Sequence, residues 1–175
     1  MAPVVAQIGE MLRVRKRPNS DDRLVLGREC NSRWSSGECV GLATSGFCGG
    51  QQLDDSYFGA GTYWDFEGNV LVEQTVPAGG DGAPDADFIL LVTALNTQQC
   101  GGATLAYAGT CLRDDTDRPV AGNYNQCPTK LSTDPGEARK MRMVTMHEMF
   151  HAIAFASSNF AMFRNPETQE PYLPR

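Results

Sequence analysis

Both histidines of this chain lie in one short segment, residues 146–151, where they flank a glutamate in an H-E-x-x-H pattern. On an α-helix, residues four apart share one face with Cβ atoms about 6 Å apart, so His147 and His151 can direct ring nitrogens at the same metal ion. Glu148 follows the first histidine, in the position of a general base beside the metal. Chance is a poor explanation for this spacing of the only two histidines, so the pattern predicts a helix that binds one zinc ion (Zn2+).

A zinc ion at such a site predicts peptide hydrolysis as the reaction. Neutral imidazole ligands leave one coordination position for water, whose pKa falls from about 15.7 to about 7. Glu148 would take the proton of this water and pass it to the leaving amine, while the metal polarises the scissile carbonyl. Proteins or peptides would then be the substrates.

The third zinc ligand is not given by the motif, although a catalytic zinc takes three protein ligands. No histidine follows His151. Glu170 is one alternative, at a separation found in zinc peptidases whose third ligand is a glutamate. Against it, Pro166 and Pro171 forbid the continuous helix that would aim its side chain. The site as written is incomplete, and we expect a truncated sequence.

The residues before the histidines are typical of a helix start. Thr133 or Asp134 can cap the helix, Pro135 suits the first turn, and Glu137 lies near the positive end of the helix dipole. From there the helix is predicted to run to about Ala156. Apolar residues and the two histidines recur at three- and four-residue steps, which predicts that both histidines lie on a buried stripe of the helix. Its predicted members are Met143, Met146, His147, Phe150, His151 and Ala154.

Six cysteines without a C-x-x-C pair predict disulfides in an oxidising compartment rather than a second zinc site. They are Cys30, Cys39, Cys48, Cys100, Cys111 and Cys127. The pairing stays open, and Cys30 has an alternative role as a free thiol that blocks the metal from a prosegment. No secretion signal is visible before Glu10, and no apolar run approaches the length of about 20 residues that spans a membrane.

The overall charge argues against a nucleic-acid partner. The formal net charge is −6, and the dense basic run is confined to residues 13–17, which we interpret as a solvated strand or arm. A length of 175 residues with a hydrophobic fraction of 41% is typical of one domain with its own core.

The remaining pattern predicts strands and loops. Residues up to about 25 are interpreted as two short strands or a loose hairpin, and residues 30–61 as a disulfide-stapled loop region or, alternatively, a flexible linker. The apolar run 86–94 predicts a central strand, and residues 104–108 a shorter one. Residues 118–124 contain Pro119, which favours an edge strand that an extended peptide could pair with.

Several segments together are more specific than the histidine motif alone. They occur in the order 86–94 (ADFILLVTA), 100–108 (CGGATLAYA) with Cys111, 117–122 (DRPVAG) leading into Cys127 and Pro128, and 147–155 (HEMFHAIAF), after a lead-in at 48–50 and 56–58. This set, over about two thirds of the chain, resembles the leishmanolysin-like peptidases, a family of metzincin zinc proteases.

The resemblance implies an α+β fold, the metzincin-like upper catalytic subdomain, with a twisted mixed sheet, a backing helix and a zinc-binding helix. It implies a metalloendopeptidase with zinc on His147 and His151, Glu148 as general base, and an edge strand lining the substrate cleft. Family members are often secreted or attached to a membrane surface, and some are linked with cell adhesion. We therefore expect an extracellular location, with any membrane association made through parts outside this sequence.

Two departures from the family pattern are visible. The family's third ligand, a histidine well beyond the second, and the methionine-containing turn after it are not in this sequence. Ala154 stands where the family usually has glycine, and a left-handed backbone at alanine would cost about 1 kcal/mol. The helix turn is therefore expected to shift, or the helix to continue toward Phe155.

Three interpretations follow for the whole chain. In the first, residues 1–29 are an N-terminal arm, a strand pair or the end of a prosegment, and residues 30–175 are part of a leishmanolysin-like catalytic domain. In the second, the chain is an inactive relative or fragment that acts in protein binding or cell adhesion. In the third, it is a disulfide-rich structural domain in which His147 and His151 only pack.

Overall fold

The computed structural model describes residues 2–12, 22–43 and 45–173. The chain forms two compact units, one from residues 1–17 and 88–175 and the other from residues 18–87. The basic run of residues 13–17, predicted to be a solvated strand or arm, lies outside the described residues.

The first unit is built from three helices and one sheet among the described residues. Its elements are α1 (Ala2–Met11), β9 (Ile89–Thr93), β10 (Ala106–Arg113), β11 (Pro119–Gln126), α2 (Ala138–Ile153) and α3 (Ser157–Phe160). The second unit contains β1 (Arg23–Leu24), β2 (Cys30–Arg33), β3 (Cys39–Leu42), β4 (Phe47–Cys48), β5 (Gln51–Gln52), β6 (Gly61–Glu67), β7 (Val70–Val76) and β8 (Ala83–Pro84). This mixed α+β composition with small sheets is consistent with the predicted metzincin-like fold class.

The sheet of the first unit has the order β10-β11-β9. Strand β11 is antiparallel to β10 and parallel to β9, so the sheet is mixed, as predicted. Strands form in both predicted segments, but their predicted places in the sheet were wrong. Residues 118–124 belong to the central strand β11, and the apolar run 86–94 forms β9, which is an edge strand among the described residues.

Proline and glycine occupy β11 for reasons that do not require an edge. Pro119 is the first residue of the strand, where a missing ladder N–H is tolerated. Gly122 lies where the zinc-motif helix approaches the sheet, and a Cβ added there would be 3.1 Å from Ala152 Cβ and 2.8 Å from Phe88 Cζ. The absent side chain therefore lets α2 pack closely on the central strand.

Helix α2 begins at Ala138, directly after the segment that was predicted to start it. Asp134 accepts a hydrogen bond from the Gly136 N–H at 2.8 Å, and the 3₁₀ turn Pro135–Glu137 leads into the helix. The helix ends at Ile153 rather than at about 156. Ala154 has φ −159° and ψ −45°, so the chain leaves the helix without the left-handed conformation that would strain an alanine.

The N-terminal segment differs from the predicted strand pair. Residues 2–11 are helical, with Val4 and Ile8 one turn apart and buried at 3% and 5% exposure. Arg23 and Leu24 do form a strand, but it pairs with β8. The first of the two predicted strands falls mostly on residues 13–21, which lie outside the described residues.

The core of the first unit brings the N-terminal helix, the sheet and α2 together. Its buried members are Val4, Ile8, Ala106, Tyr124 and Met149, and Leu90, Phe150 and Ile153 pack against them. Tyr124 is 2% exposed, and its hydroxyl donates to Gln126 Oε1 and lies 3.1 Å from Thr145 Oγ1. A polar contact between β11 and α2 is therefore buried within an otherwise apolar core.

Replacing this hydroxyl should destabilise the fold without changing its shape. Tyr124→Phe leaves the buried Gln126 Oε1 without its donor, and we expect a loss of about 1–2 kcal/mol in the free energy of unfolding. Urea denaturation followed by circular dichroism measures this change. Tyr172→Phe is the matched control, since that side chain is 61% exposed and should leave the midpoint unchanged. Equal midpoints for both variants would contradict a structural role for the Tyr124 hydroxyl.

The second unit has a core of Leu24, Leu26, Leu53 and Phe58, each no more than 2% exposed. The buried Arg28 lies over the Phe58 ring, with its guanidinium carbon 5.6 Å from the ring centroid, and pairs with Asp55 at 3.0 Å. Antiparallel pairing of β2 with β3 and of β4 with β5 orders part of segment 30–61, which was interpreted as loop or flexible linker.

Disulfide bonding of the cysteines is confirmed. Cys30 is bonded to Cys39 and Cys100 to Cys127, and Cys48 and Cys111 are disulfide-bonded as well. The alternative of Cys30 as a free, metal-blocking thiol is therefore wrong. Among the helices of residues 2–12, 22–43 and 45–173, none combines the length and apolar character needed to cross a membrane.

Candidate metal centre

The two motif histidines converge on one point. Their Nε2 atoms are 3.0 Å apart, and their rings meet edge to face with centroids 4.6 Å apart. Two nitrogens bound to one tetrahedral zinc at about 2.05 Å would be about 3.3 Å apart. The helix therefore holds these atoms within a few tenths of an ångström of the separation that zinc requires.

The backbone fixes the orientation of one of these rings. His151 Nδ1 lies 2.7 Å from the Phe155 carbonyl oxygen. A carbonyl can only accept, so Nδ1 carries the proton and donates it, which in the neutral ring leaves the lone pair on Nε2, facing His147 Nε2. An imidazole that donates its second N–H to a backbone carbonyl is the usual arrangement of a metal-bound histidine.

The predicted buried stripe of α2 was wrong in part: Met146 and Phe150 pack against the core, but neither the two histidines nor Met143 lie on the buried face. The buried residues are Thr145, Met149 and Ala152, whereas His147 is exposed and His151 half-buried. Met143, predicted to pack, is 63% exposed. The helix therefore presents its histidines away from the core, where a metal and a substrate can reach them.

Glu148 lies between the exposed and the buried faces of α2. It is half-buried, and its negative charge contributes to an elevated pKa at Tyr124, after the larger effect of burial and against the lowering effect of the Thr145 hydrogen bond. Glu148 is thus close to the buried polar contact beneath the helix while part of its side chain remains open to solvent.

The described residues do not complete the ligand set. Across residues 2–12, 22–43 and 45–173, no third histidine, cysteine, aspartate or glutamate joins His147 and His151 in a metal-binding group. Glu170, the weighed alternative, is exposed in a turn where its carbonyl accepts from the Asn165 N–H at 2.8 Å. The donor set fits zinc through two imidazoles, and Glu170 does not add to it.

Residues around the end of α2 were not found from the sequence. The Phe150 carbonyl accepts from both Ala154 N–H and Phe155 N–H, at 3.0 and 2.8 Å. The side chain of Asn159 donates to the Ala154 carbonyl at 3.0 Å. No motif marks these contacts, since backbone carbonyls are independent of residue type and Asn159 lies in an unpatterned segment.

Comparison with known proteins identifies relatives of this chain. Residues 61–170 match the family model described as leishmanolysin. A leishmanolysin-like peptidase of Drosophila pseudoobscura pseudoobscura is 43% identical over 98 residues, 55% of this chain and 14% of the relative. That of Drosophila melanogaster is 35% identical over 130 residues, 73% of this chain and 19% of the relative.

A second group of relatives has a different name. The ciliated left-right organizer metallopeptidase of Xenopus laevis is 33% identical over 156 residues, 81% of this chain and 21% of the relative. The chain thus spans between 14% and 21% of the length of these three relatives. The matched region includes the H-E-x-x-H helix and the whole sheet of the first unit.

Proposed function

The chain belongs to the leishmanolysin family, and we propose that it contributes the metal-binding helix and part of the substrate cleft of a zinc metalloendopeptidase. The observation that supports this most is the convergence of His147 and His151 Nε2 at 3.0 Å, with His151 held by a backbone carbonyl. At this distance one Nε2 can donate to the other in the metal-free chain, and this contact keeps both nitrogens at the point where an ion would bind.

Each site residue has a distinct task in this proposal. His147 and His151 hold the ion, and Phe155 keeps His151 in the tautomer that binds metal. When bound, zinc would supply Lewis acidity toward water and the scissile carbonyl. Glu148 takes a proton from the attacking water and returns it to the leaving amine, which requires a carboxylate open to solvent.

The sheet offers a place for an extended peptide, but not on the strand predicted from the sequence. Since β11 is central, its backbone groups are engaged on both sides. Among the described residues β10 pairs only with β11, which leaves its other edge for a peptide strand. Helix α2 packs against β10, and Thr110 of this strand donates to the Ala152 carbonyl at 2.8 Å. We therefore assign substrate binding to β10.

The same proposal places the protein outside the cell or on its surface. Disulfide bonding of all six cysteines requires an oxidising compartment. Partners would be protein or peptide substrates, without a nucleic-acid partner, given the net charge of −6.

The direct test is zinc content. The wild-type chain, purified with its disulfides intact, is expected to hold one zinc ion per chain, and His151→Ala is expected to lose it because one nitrogen ligand is removed. Elemental analysis after dialysis gives the stoichiometry. Met143→Ala is the matched control, at an exposed position of the same helix. A wild type without zinc, or a His151→Ala chain that keeps it, would contradict the proposed site.

The alternative is a family relative or fragment that binds proteins and does not cleave them. The incomplete ligand set of the described residues favours this as the second candidate. Digestion of an unstructured protein by the zinc-loaded chain separates the two. Cleavage that a chelator abolishes supports the peptidase, and one bound zinc without cleavage supports the alternative.

A further inference from the structure

Asn159 is a buried polar residue next to the metal-binding helix. It is 1% exposed and lies in the short helix α3. Burial of an amide is unfavourable unless its polar atoms are hydrogen-bonded, and a leucine of similar size would fill the same space without that requirement. The presence of an amide at this position therefore calls for a reason in its contacts.

The contacts of Asn159 form one directed set. Arg113 donates to Asn159 Oδ1, and Asn159 Nδ2 donates to the Ala154 carbonyl at 3.0 Å and to Thr110 Oγ1 at 3.1 Å. Thr110 in turn donates to the Ala152 carbonyl at 2.8 Å. Two carbonyls at the end of α2 thus receive donors from the same small group. This arrangement connects the end of the helix with strand β10.

These contacts fix the backbone on both sides of Phe155. Before it, the Ala154 carbonyl accepts from the Asn159 side chain. After it, the Ala156 carbonyl accepts from the Asn159 N–H at 2.8 Å. Phe155 carries the carbonyl that accepts from His151 Nδ1 at 2.7 Å. Asn159 therefore helps to orient that carbonyl, together with the Ala156 N–H, which donates to the Ala154 carbonyl at 3.0 Å, although Asn159 does not contact the histidine itself.

We propose that Asn159 is a positioning residue that, through the Phe155 carbonyl, holds His151 with its proton on Nδ1 and its Nε2 lone pair facing His147. The inference rests on the proposed zinc site for its functional meaning. Its structural part, the control of the His151 tautomer, applies to the metal-free chain as well. Loss of a partner that orients a histidine ligand typically lowers metal affinity by about 10- to 100-fold.

Asn159→Asp separates the donor role from the shape of the side chain. Aspartate can still accept from Arg113, but it cannot donate to the Ala154 carbonyl or to Thr110. Asn159→Ser is the second variant, since its hydroxyl is too short to reach both partners and its burial costs less than that of a carboxylate. Circular dichroism identifies which variants fold, and the measurements use those.

Two readouts follow on the disulfide-intact chain. In the metal-free, 15N-labelled chain, imidazole 15N shifts are expected to show a proton on His151 Nδ1 in the wild type and a mixture of tautomers in the Asn159 variants. The dissociation constant for Zn2+, measured by competition with a chromophoric chelator, is expected to rise about tenfold or more. Arg164→Gln is the control, because it removes the Arg164–Asp117 contact from the same region and leaves the contacts of Asn159 in place.

The outcomes distinguish this inference from the proposed function. A folded Asn159 variant with the wild-type tautomer and wild-type Zn2+ affinity would overturn the inference while the zinc site stands. The same changes in Arg164→Gln would also overturn it, since general destabilisation would then be the cause. A third outcome combines a wild type that binds no Zn2+ with Asn159 variants that lose the Nδ1-protonated tautomer of His151. It would refute the zinc site and support the positioning role.

Discussion

Glu148→Gln is expected to lower sharply the rate of peptide cleavage by any form of this protein that cleaves peptides, and to leave the proposed zinc binding intact. Glutamine keeps the shape of the side chain and cannot accept a proton from water, whereas the proposed ligands His147 and His151 remain unchanged. General-base catalysis contributes about 10²- to 10⁴-fold, so kcat should fall by that range. Turnover of a fluorogenic peptide and zinc content, measured on the same preparation, test both halves of the expectation.

The control for this variant is Glu137→Gln, which neutralises a glutamate just before α2. Glu137 pairs with Lys140 at 3.0 Å on the surface and lies about three turns from Glu148. Its loss should leave kcat within a factor of about 2, since exposed ion pairs contribute little. A Glu148→Gln enzyme with near wild-type kcat would show that another group takes the proton. Loss of zinc from this variant would instead assign Glu148 a role in metal binding.

The local features of helix α2 could be predicted because they depend on neighbouring residues. Asp134 and Pro135 specify, through capping and a fixed φ, the 3₁₀ turn that leads into the helix. The four-residue spacing of His147 and His151 specifies that their rings can meet, and their Nε2 atoms do meet at 3.0 Å. Neither feature requires knowledge of the rest of the fold.

The order of the strands could not be predicted because it depends on packing between distant segments. The apolar run that forms β9 suits a strand covered on both faces, and this says nothing about pairing at its two edges. Gly122 and Pro119 of β11 suit an edge by composition, yet Gly122 is required because a Cβ there would lie 2.8 Å from Gly109 O and from Phe88 Cζ, and 3.1 Å from Ala152 Cβ. These three neighbours belong to segments that are distant from Gly122 in the sequence.

Part of the buried stripe was mispredicted for a related reason. Met143 and Met149 have the same hydropathy, but Met143 is 63% exposed and Met149 is 3% exposed. Periodicity identifies a helix, whereas the face that packs is chosen by the sheet and α1. The orientation of His151 likewise depends on the Phe155 carbonyl and on Asn159, which no spacing rule connects with the motif.

The second large effect is expected from the disulfide of the first unit. Cys100→Ala with Cys127→Ala removes the bond between Cys100 and Cys127, which are 27 positions apart and no more than 5% exposed. Removal of a cross-link of this loop length lowers the free energy of unfolding by about 3–4 kcal/mol in the chain-entropy model. Since domains are stable by only about 5–15 kcal/mol, much of the stability of the first unit depends on this bond. Alanine is chosen instead of serine because two buried serine hydroxyls would add their own cost to the free energy of unfolding.

The two units allow an internal comparison, because each has its own spectroscopic signal. The described α-helices lie in the first unit, so circular dichroism at 222 nm follows its unfolding, while Trp34 and Trp64 report on the second. Removal of the Cys30–Cys39 bond, which joins positions 9 apart, should lower the fluorescence-detected stability by about 2–3 kcal/mol and leave the dichroism transition in place. Removal of the Cys100–Cys127 bond should shift the dichroism transition to a lower urea concentration, because α2 packs on the hairpin whose ends this bond joins. The proposed zinc binding should weaken in the same variant. An unshifted dichroism transition would show that the sheet and α2 hold the metal centre without this disulfide.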